Sequence, residues 1–279
     1  MAALVISRRA YNVIPGVGPS LALSALAVSC IVLLPLAAIA LAMRGISGPE
    51  LWHLATSSRA LDSYRVTFGS ALIAATVDAV VGLGIAWVLV RYRFPGNRLL
   101  DLAIDIPFAL PTAVAGIALA TLYNDKGWLG SIAVAHGIHV AFTQLGIIIA
   151  MVFVGLPFAV RTVASVLAEL PPEIDEAAES LGARQIYTFL RVTLPLIAPA
   201  ILVGFSMALA RGIGEYGSII FIAGNLPHKT EITAILIITR LEEYDYQGAT
   251  ALAAVMLAAS FALIFVINIF QRKVRWQGL

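Results

Sequence analysis

Apolar residues fall into six long blocks separated by short polar stretches, and this pattern sets the architecture before any single residue is weighed. Leu21 to Met43 runs without a charge and is long enough to cross a hydrocarbon core of ~30 Å, which takes about 20 helical residues. Val66 to Val90 is the second block, interrupted only by Asp78. Leu102 to Tyr123 is the third, with Asp105 near its start and Pro107 and Pro111 following. Val140 to Val160 is the fourth and holds Pro157; Pro195 to Gly224 is the fifth, broken by Arg211-Gly212-Ile213-Gly214-Glu215-Tyr216-Gly217. Gly248 to Phe270 is the sixth. Lipid offers the backbone no hydrogen-bond partners, so each block reads as a helix, and Pro35 or Pro157 kinks its helix without forbidding it. The pattern predicts an all-α polytopic membrane protein with six transmembrane helices. Between the blocks lie a polar connection from Arg44 to Arg65, a tight basic turn from Arg91 to Arg98 and a Gly-rich loop from Asn124 to His139. Asn225 to Gln247 is polar apart from Ile232 to Ile238, too short to span and read as an interfacial helix. With no internal repeat, residues 21–270 read as one transmembrane domain between tails at 1–20 and 271–279.

One polar segment differs from the other connections because it carries helix signals. Pro171 and Pro172 suit a first helical turn, and Glu173, Asp175 and Glu176 place negative charge at the positive end of the helix dipole. Ala177, Ala178 and Leu181 favour helix, and Gly182 is the residue type that closes one in a left-handed cap. A short capped helix over 172–181 is predicted. A second segment leads from Ala183 to Leu194, and Pro195 opens the next apolar block.

Charge adds the sidedness. Of the 279 residues, 60% are hydrophobic and 12% charged, about half the charge of a soluble domain. Arg8, Arg9, Arg91, Arg93, Arg98, Arg161, Arg184, Arg191, Arg272, Lys273 and Arg275 fall on one face of a six-span chain. Arg44, Arg59, Arg65, Lys126, Lys229 and Arg240 fall on the other. The positive-inside rule therefore places both termini and the capped helix in the cytoplasm. The first block is too long for the core of a cleavable leader, and the lone Cys30 excludes an intrachain disulfide. No feature points to nucleic acid.

Few residues carry chemistry. No phosphate-binding G-x-x-x-x-G-K-[ST] loop is present, so any ATP and Mg would belong to another subunit, and this chain is expected to be non-catalytic, with no cofactor or metal of its own. His136 and His139, and the acidic run Glu242, Glu243 and Asp245, read as solvated outer-loop residues rather than ion ligands. Charges inside the blocks are more telling, because an ionised group at mid-bilayer costs about 2.5 kcal/mol or more and must face protein or water. Arg211 and Glu215 are four apart and can pair on a helix, either lining or gating a translocation path or tying two helices together. Asp78 is read as a helix–helix hydrogen-bond former or a pore residue, and Asp101 and Asp105 as interfacial.

Glu176-Ala177-Ala178, then three residues and Gly182, then nine residues and Val192-Thr193-Leu194-Pro195, resembles the EAA loop of ABC importer permeases. Only Val192 departs, where that family usually has Ile. The resemblance implies a type I ABC importer permease fold whose cytoplasmic coupling helix, within a loop over about 169–195, docks into a groove on an ATPase subunit. Glu176, Ala177, Ala178, Gly182, Leu194 and Pro195 would be its coupling residues. Arg91 to Gly96, Asp105 to Gly116, Phe221 to Asn225, Lys229 to Glu231 and Arg240 to Tyr246 are similar to the T-subunit permeases of sulfate/thiosulfate importers. That likeness covers about Val66 to Phe270 and implies an inner-membrane importer taking up sulfate by alternating access. Its implied partners are a homologous W-type permease, two copies of the ATPase subunit and a periplasmic sulfate/thiosulfate-binding protein. Molybdate and tungstate permeases share the loop and the Gly-Glu-aromatic-Gly pattern at Gly214 to Gly217. A secondary anion transporter driven by an ion gradient, with Asp78 and Glu215 as coupling carboxylates, is the reading from a different class; a membrane-embedded enzyme lacks a catalytic cluster.

Overall fold

The computed structural model describes residues 17–171 and 173–277. Arg8, Arg9, Pro172 and the side chains of Arg272, Lys273 and Arg275 lie outside the described residues, as does most of the expected tail at 1–20. Helices follow one another along the chain: α1 (Val17–Val28), α2 (Leu34–Ala42), α3 (Gly48–Ala55), α4 (Ser58–Arg91), α5 (Asn97–Ala109), α6 (Thr112–Tyr123) and α7 (Trp128–Ala135). They continue with α8 (Gln144–Glu169), α9 (Glu173–Ser180), α10 (Gln185–Thr188), α11 (Leu194–Ile213), α12 (Ile219–Ile222), α13 (Thr233–Glu242) and α14 (Tyr246–Gln277).

Two compact units divide the chain, Met1–Ser47 and Gly48–Leu279. In the first, Gly18–Gly45 is one apolar helical run of 28 residues. A π-helical turn at Ser29–Leu33 precedes Pro35. A proline ring collides with the carbonyl four residues back in a regular helix, and a wider turn makes room for it.

In the second unit, four single helical runs are long and apolar enough to span: Ser58–Arg91, Gln144–Glu169, Gln185–Ile213 and Tyr246–Ile269. The third apolar block is a bent pair, α5 and α6, whose axes differ by 113°. With the first unit this makes five spans, or six with the pair counted as one. The bend has a local cause. Pro111 has no N–H to donate and forces Leu110 into an extended conformation at ψ 134°, so α5 stops and α6 restarts.

Three boundaries differ from the sequence pattern. The connection expected from Arg44 to Arg65 is largely helical, because α4 begins at Ser58 and runs 34 residues. At ~1.5 Å per residue it is about 50 Å long, well beyond a hydrocarbon core. Pro195 does not open a separate element: Gln185–Ile213 is one helical run, with a second π-helical turn at Phe189–Thr193 absorbing that proline. The short apolar run at 232–238 becomes α13, which buries Thr233, Ile235 and Leu236 against the bundle instead of lying on an interface.

The core forms where α4, α8 and α11 meet. Along α4 the buried face is a stripe of small residues, Ala71, Ala74, Ala75, Gly82 and Ala86, while Leu72, Ile73 and Val80 point outward, Val80 being 68% exposed. Small residues inside and large apolar ones outside suit a bilayer, where close backbone approach, not burial of bulk, holds helices together. A Cβ on Gly82 would lie 2.9 Å from the Ala159 Cβ, and one on Gly204 would lie 3.0 Å from the Ala159 Cα.

Candidate functional site

The polar segment after α8 folds as the helix α9, closed at its C-terminal end by Gly182. Gly182 takes φ +82°, its N–H bonds the Glu179 carbonyl at 2.9 Å, and the Ala183 N–H bonds the Ala178 carbonyl at 3.0 Å. This is the paired hydrogen-bond pattern of a glycine-closed helix end. Glu176, Ala177 and Gly182 are exposed, Ala178 is half-buried, and Leu181 stands 88% exposed. Beside them Ala183, Ile186 and Tyr187 help line a shallow apolar hollow. Leu194 is half-buried and Pro195 exposed at the start of α11, and the adjoining Thr193 hydroxyl donates to Asp175 at 3.4 Å.

Residues not singled out in the sequence anchor this helix. Arg91, at the C-terminal end of α4, pairs with Asp175 at 3.4 Å and lies 5.7 Å from the centre of the Trp87 ring. Trp87 meets Phe189 edge-on at 5.0 Å. In the sequence Asp175 is a dipole charge and Arg91 a topology charge; nothing in linear spacing links positions so far apart.

The intramembrane charges fall into two places. Arg211 pairs with Glu215, which is 1% exposed. Glu215 also accepts hydrogen bonds from the Ser218 backbone N–H at 2.8 Å and from its hydroxyl at 2.9 Å. The pair forms at the spacing expected, although α11 ends at Ile213 and Glu215 sits just past it in a turn. The turn rests on α6: a Cβ on Gly217 would overlap the Thr112 hydroxyl, and one on Gly116 would come within 2.8 Å of the Ser218 Cα. Asp78 lies elsewhere, 1% exposed between α4 and α8. Its carboxylate presses on Gly155, where no side chain fits, and neither oxygen has a hydrogen-bond partner among the described residues.

Two further ion clusters tie distant parts of the chain together. Arg161 of α8 holds Asp105 through two contacts, 3.0 and 2.6 Å, and reaches Asp101 at 2.5 Å and its carbonyl at 3.0 Å. Arg59 of α4 grips the buried Glu231 at 2.8 and 2.7 Å. The i,i+4 spacing of Asp101 and Asp105 was a legible hint that both face one cation. Of the acidic run, Glu242 and Glu243 are exposed, while Asp245 caps α14, accepting from the Gly248 N–H at 2.8 Å and pairing with Arg240 at 3.1 Å. His136 donates to the Ile132 carbonyl at 2.9 Å, and His139 lies 3.0 Å from Asp125.

The sequence pattern described as the binding-protein-dependent transport system inner membrane component matches residues 79–276. The chain belongs to this family. As a binding-protein-dependent transport component it is a multi-pass membrane protein and a transport subunit. The sulfate transport system permease protein CysT of Salmonella typhimurium is 46% identical over 97% of both chains, and that of Escherichia coli is 47% identical over 96% of both. Among solved structures, a bacterial ABC transporter involved in import of the acidic polysaccharide alginate superposes with TM-score 0.76 at 14% identity, covering 92% of this chain and 94% of that one. An inward-facing methionine ABC transporter, MetNI, gives 0.62 at 16% identity over 82% of this chain and 99% of that one. The fold is that of the type I ABC importer permeases.

Proposed function

We propose that this chain is the T-type membrane subunit of a sulfate ABC importer and that α9 is its coupling helix. The observation carrying the reading is the identity of 46–47% to sulfate permeases across nearly the whole of both chains. The helix itself supports the coupling role, being acidic in its first turn and closed by Gly182 at its end, exposed along Glu176 and Ala177, and edged by the apolar Leu181 that a groove would bury. Its partners would be a W-type permease, two ATPase subunits carrying ATP and Mg, and a periplasmic sulfate/thiosulfate-binding protein. The positive-inside rule puts α9 and both termini in the cytoplasm of a cell whose inner membrane holds the complex. ATP closes the ATPase dimer, α9 follows, and the spans rock to expose the pore to the loaded binding protein. Sulfate keeps a costly hydration shell, so it needs a wet polar path; Arg211, part-exposed beside Glu215, supplies one cation along it.

The test is uptake of labelled sulfate into proteoliposomes holding the purified complex. Uptake should require ATP inside, the binding protein outside and this chain in the membrane. Uptake by this chain alone, or uptake driven by an ion gradient without ATP, would overturn the reading. Competition by thiosulfate and molybdate in the same assay ranks the anions.

A further inference from the structure

We infer that Arg161 is a transmission residue: through Asp101 and Asp105 it makes the bent pair α5–α6 move with α8, so that a shift of α9 reaches the turn holding Arg211 and Glu215. The inference rests on α9 being the coupling helix; α9 follows α8 along the chain, and the later links are side-chain and backbone contacts. Residue 161 lies two turns before the end of α8, and α9 begins four residues beyond that end. The guanidinium holds Asp105 with two prongs and Asp101 with a third, on one face of α5. Phe158, one turn earlier on α8, meets Phe108 of α5 edge-on at 5.0 Å, so the same two helices are also joined by packing.

The bend at Pro111 then turns the pushed element sideways. Because α5 and α6 differ by 113°, a displacement along α5 moves the first turn of α6 against the turn that follows α11. There Thr112 and Gly116 sit directly on Gly217 and Ser218, with no space for even a methyl group between them. Ser218 holds Glu215 by two hydrogen bonds, and Glu215 holds Arg211. Close backbone contact transmits displacement because packed interfaces rearrange as units and do not deform smoothly. Two other ties hold α9, Arg91 of α4 and the Thr193 hydroxyl just before α11, each by one contact to Asp175 at 3.4 Å. The Arg161 cluster is part-exposed, so its contribution to stability is small. It joins two helices by a bidentate fork and a third bond.

The full reconstituted importer tests this by the sulfate moved per ATP hydrolysed. Arg161→Gln should lower that ratio about tenfold, the size of an ordinary coupling loss, while the complex still assembles and hydrolyses ATP. The exchanged pair Arg161→Glu with Asp105→Arg should recover most of the ratio, since a relocated guanidinium keeps Asp101 within reach. An unchanged ratio in Arg161→Gln, or a loss that the exchange does not recover, overturns the inference. A second measurement needs no disruptive variant. Spin labels at Leu99→Cys on α5 and Ser165→Cys on α8 should keep their separation on ATP binding, whereas a change beyond about 2 Å would show the two helices slipping and overturn it. Wild-type uptake without ATPase subunits would remove the coupling reading itself; a wild type that couples alongside an equally coupled Arg161→Gln removes only the clamp.

Discussion

At the scale of single residues, the tightest constraint is where Asp78 meets Gly155. The carboxylate occupies the space a Cβ would need, and Ala208 closes the third side at 3.3 Å. Gly155→Ala is expected to destabilise the purified protein by about 1–3 kcal/mol, as overpacking does, read from thermal unfolding in detergent. Combining it with Asp78→Ala should recover part of that loss by vacating the oxygens; purely additive losses would show that Gly155 is needed for another reason. Glu231 is the opposite case, a buried carboxylate with a full set of partners. Glu231→Ala leaves the Arg59 fork unpaired and should cost about 2 kcal/mol in the same measurement. Neither role was legible beforehand. Asp78 announced itself as an odd charge in an apolar block, but its neighbour Gly155 lies 77 positions away and only packing joins them.

At the scale of elements, prolines and one glycine decide where helices bend, widen and stop. Pro35 and Pro195 each follow a π-helical turn, Pro111 makes the 113° bend, and Gly182 closes α9 at φ +82°. A β-branched residue is strained at that angle by about 1–3 kcal/mol. Gly182→Val should therefore unwind the cap, displace Leu181 and cut sulfate uptake at least several-fold in reconstituted importer. Gly182→Asn, which tolerates the left-handed region, should do less harm. Equal uptake by both variants would dissociate the cap from coupling. The cap was readable because it depends on residues within six positions of one another. The continuity of Gln185–Ile213 was not, because Pro195 signals a helix start as readily as a tolerated interior proline.

At the scale of the whole molecule, sidedness is the property on which the proposed function turns. Cys30 is the lone cysteine, and replacing it with serine leaves a background for single labels. Leu181→Cys should react with a membrane-impermeant maleimide only in inside-out vesicles, and Lys126→Cys only in right-side-out cells. Reversal of either result would place the coupling helix on the wrong side of the membrane for an ATPase. The length of α4 gives the same opposition a physical scale: Arg59 grips Glu231 near one end and Arg91 meets Asp175 at the other, about 48 Å apart at ~1.5 Å per residue.

The amino-acid sequence alone determined that this chain is helical, crosses a membrane several times and presents one capped polar helix. Those properties depend on hydropathy over about 20 neighbours and on turn chemistry over six, both of which are local. Only the tertiary structure decided which charges meet. Arg161 with Asp101 and Asp105, Arg59 with Glu231, and the seating of Gly217 on Thr112 each join residues 56 or more positions apart. Such pairs arise from how small-residue faces bring backbones together, and that depends on three dimensions, not on spacing along the chain.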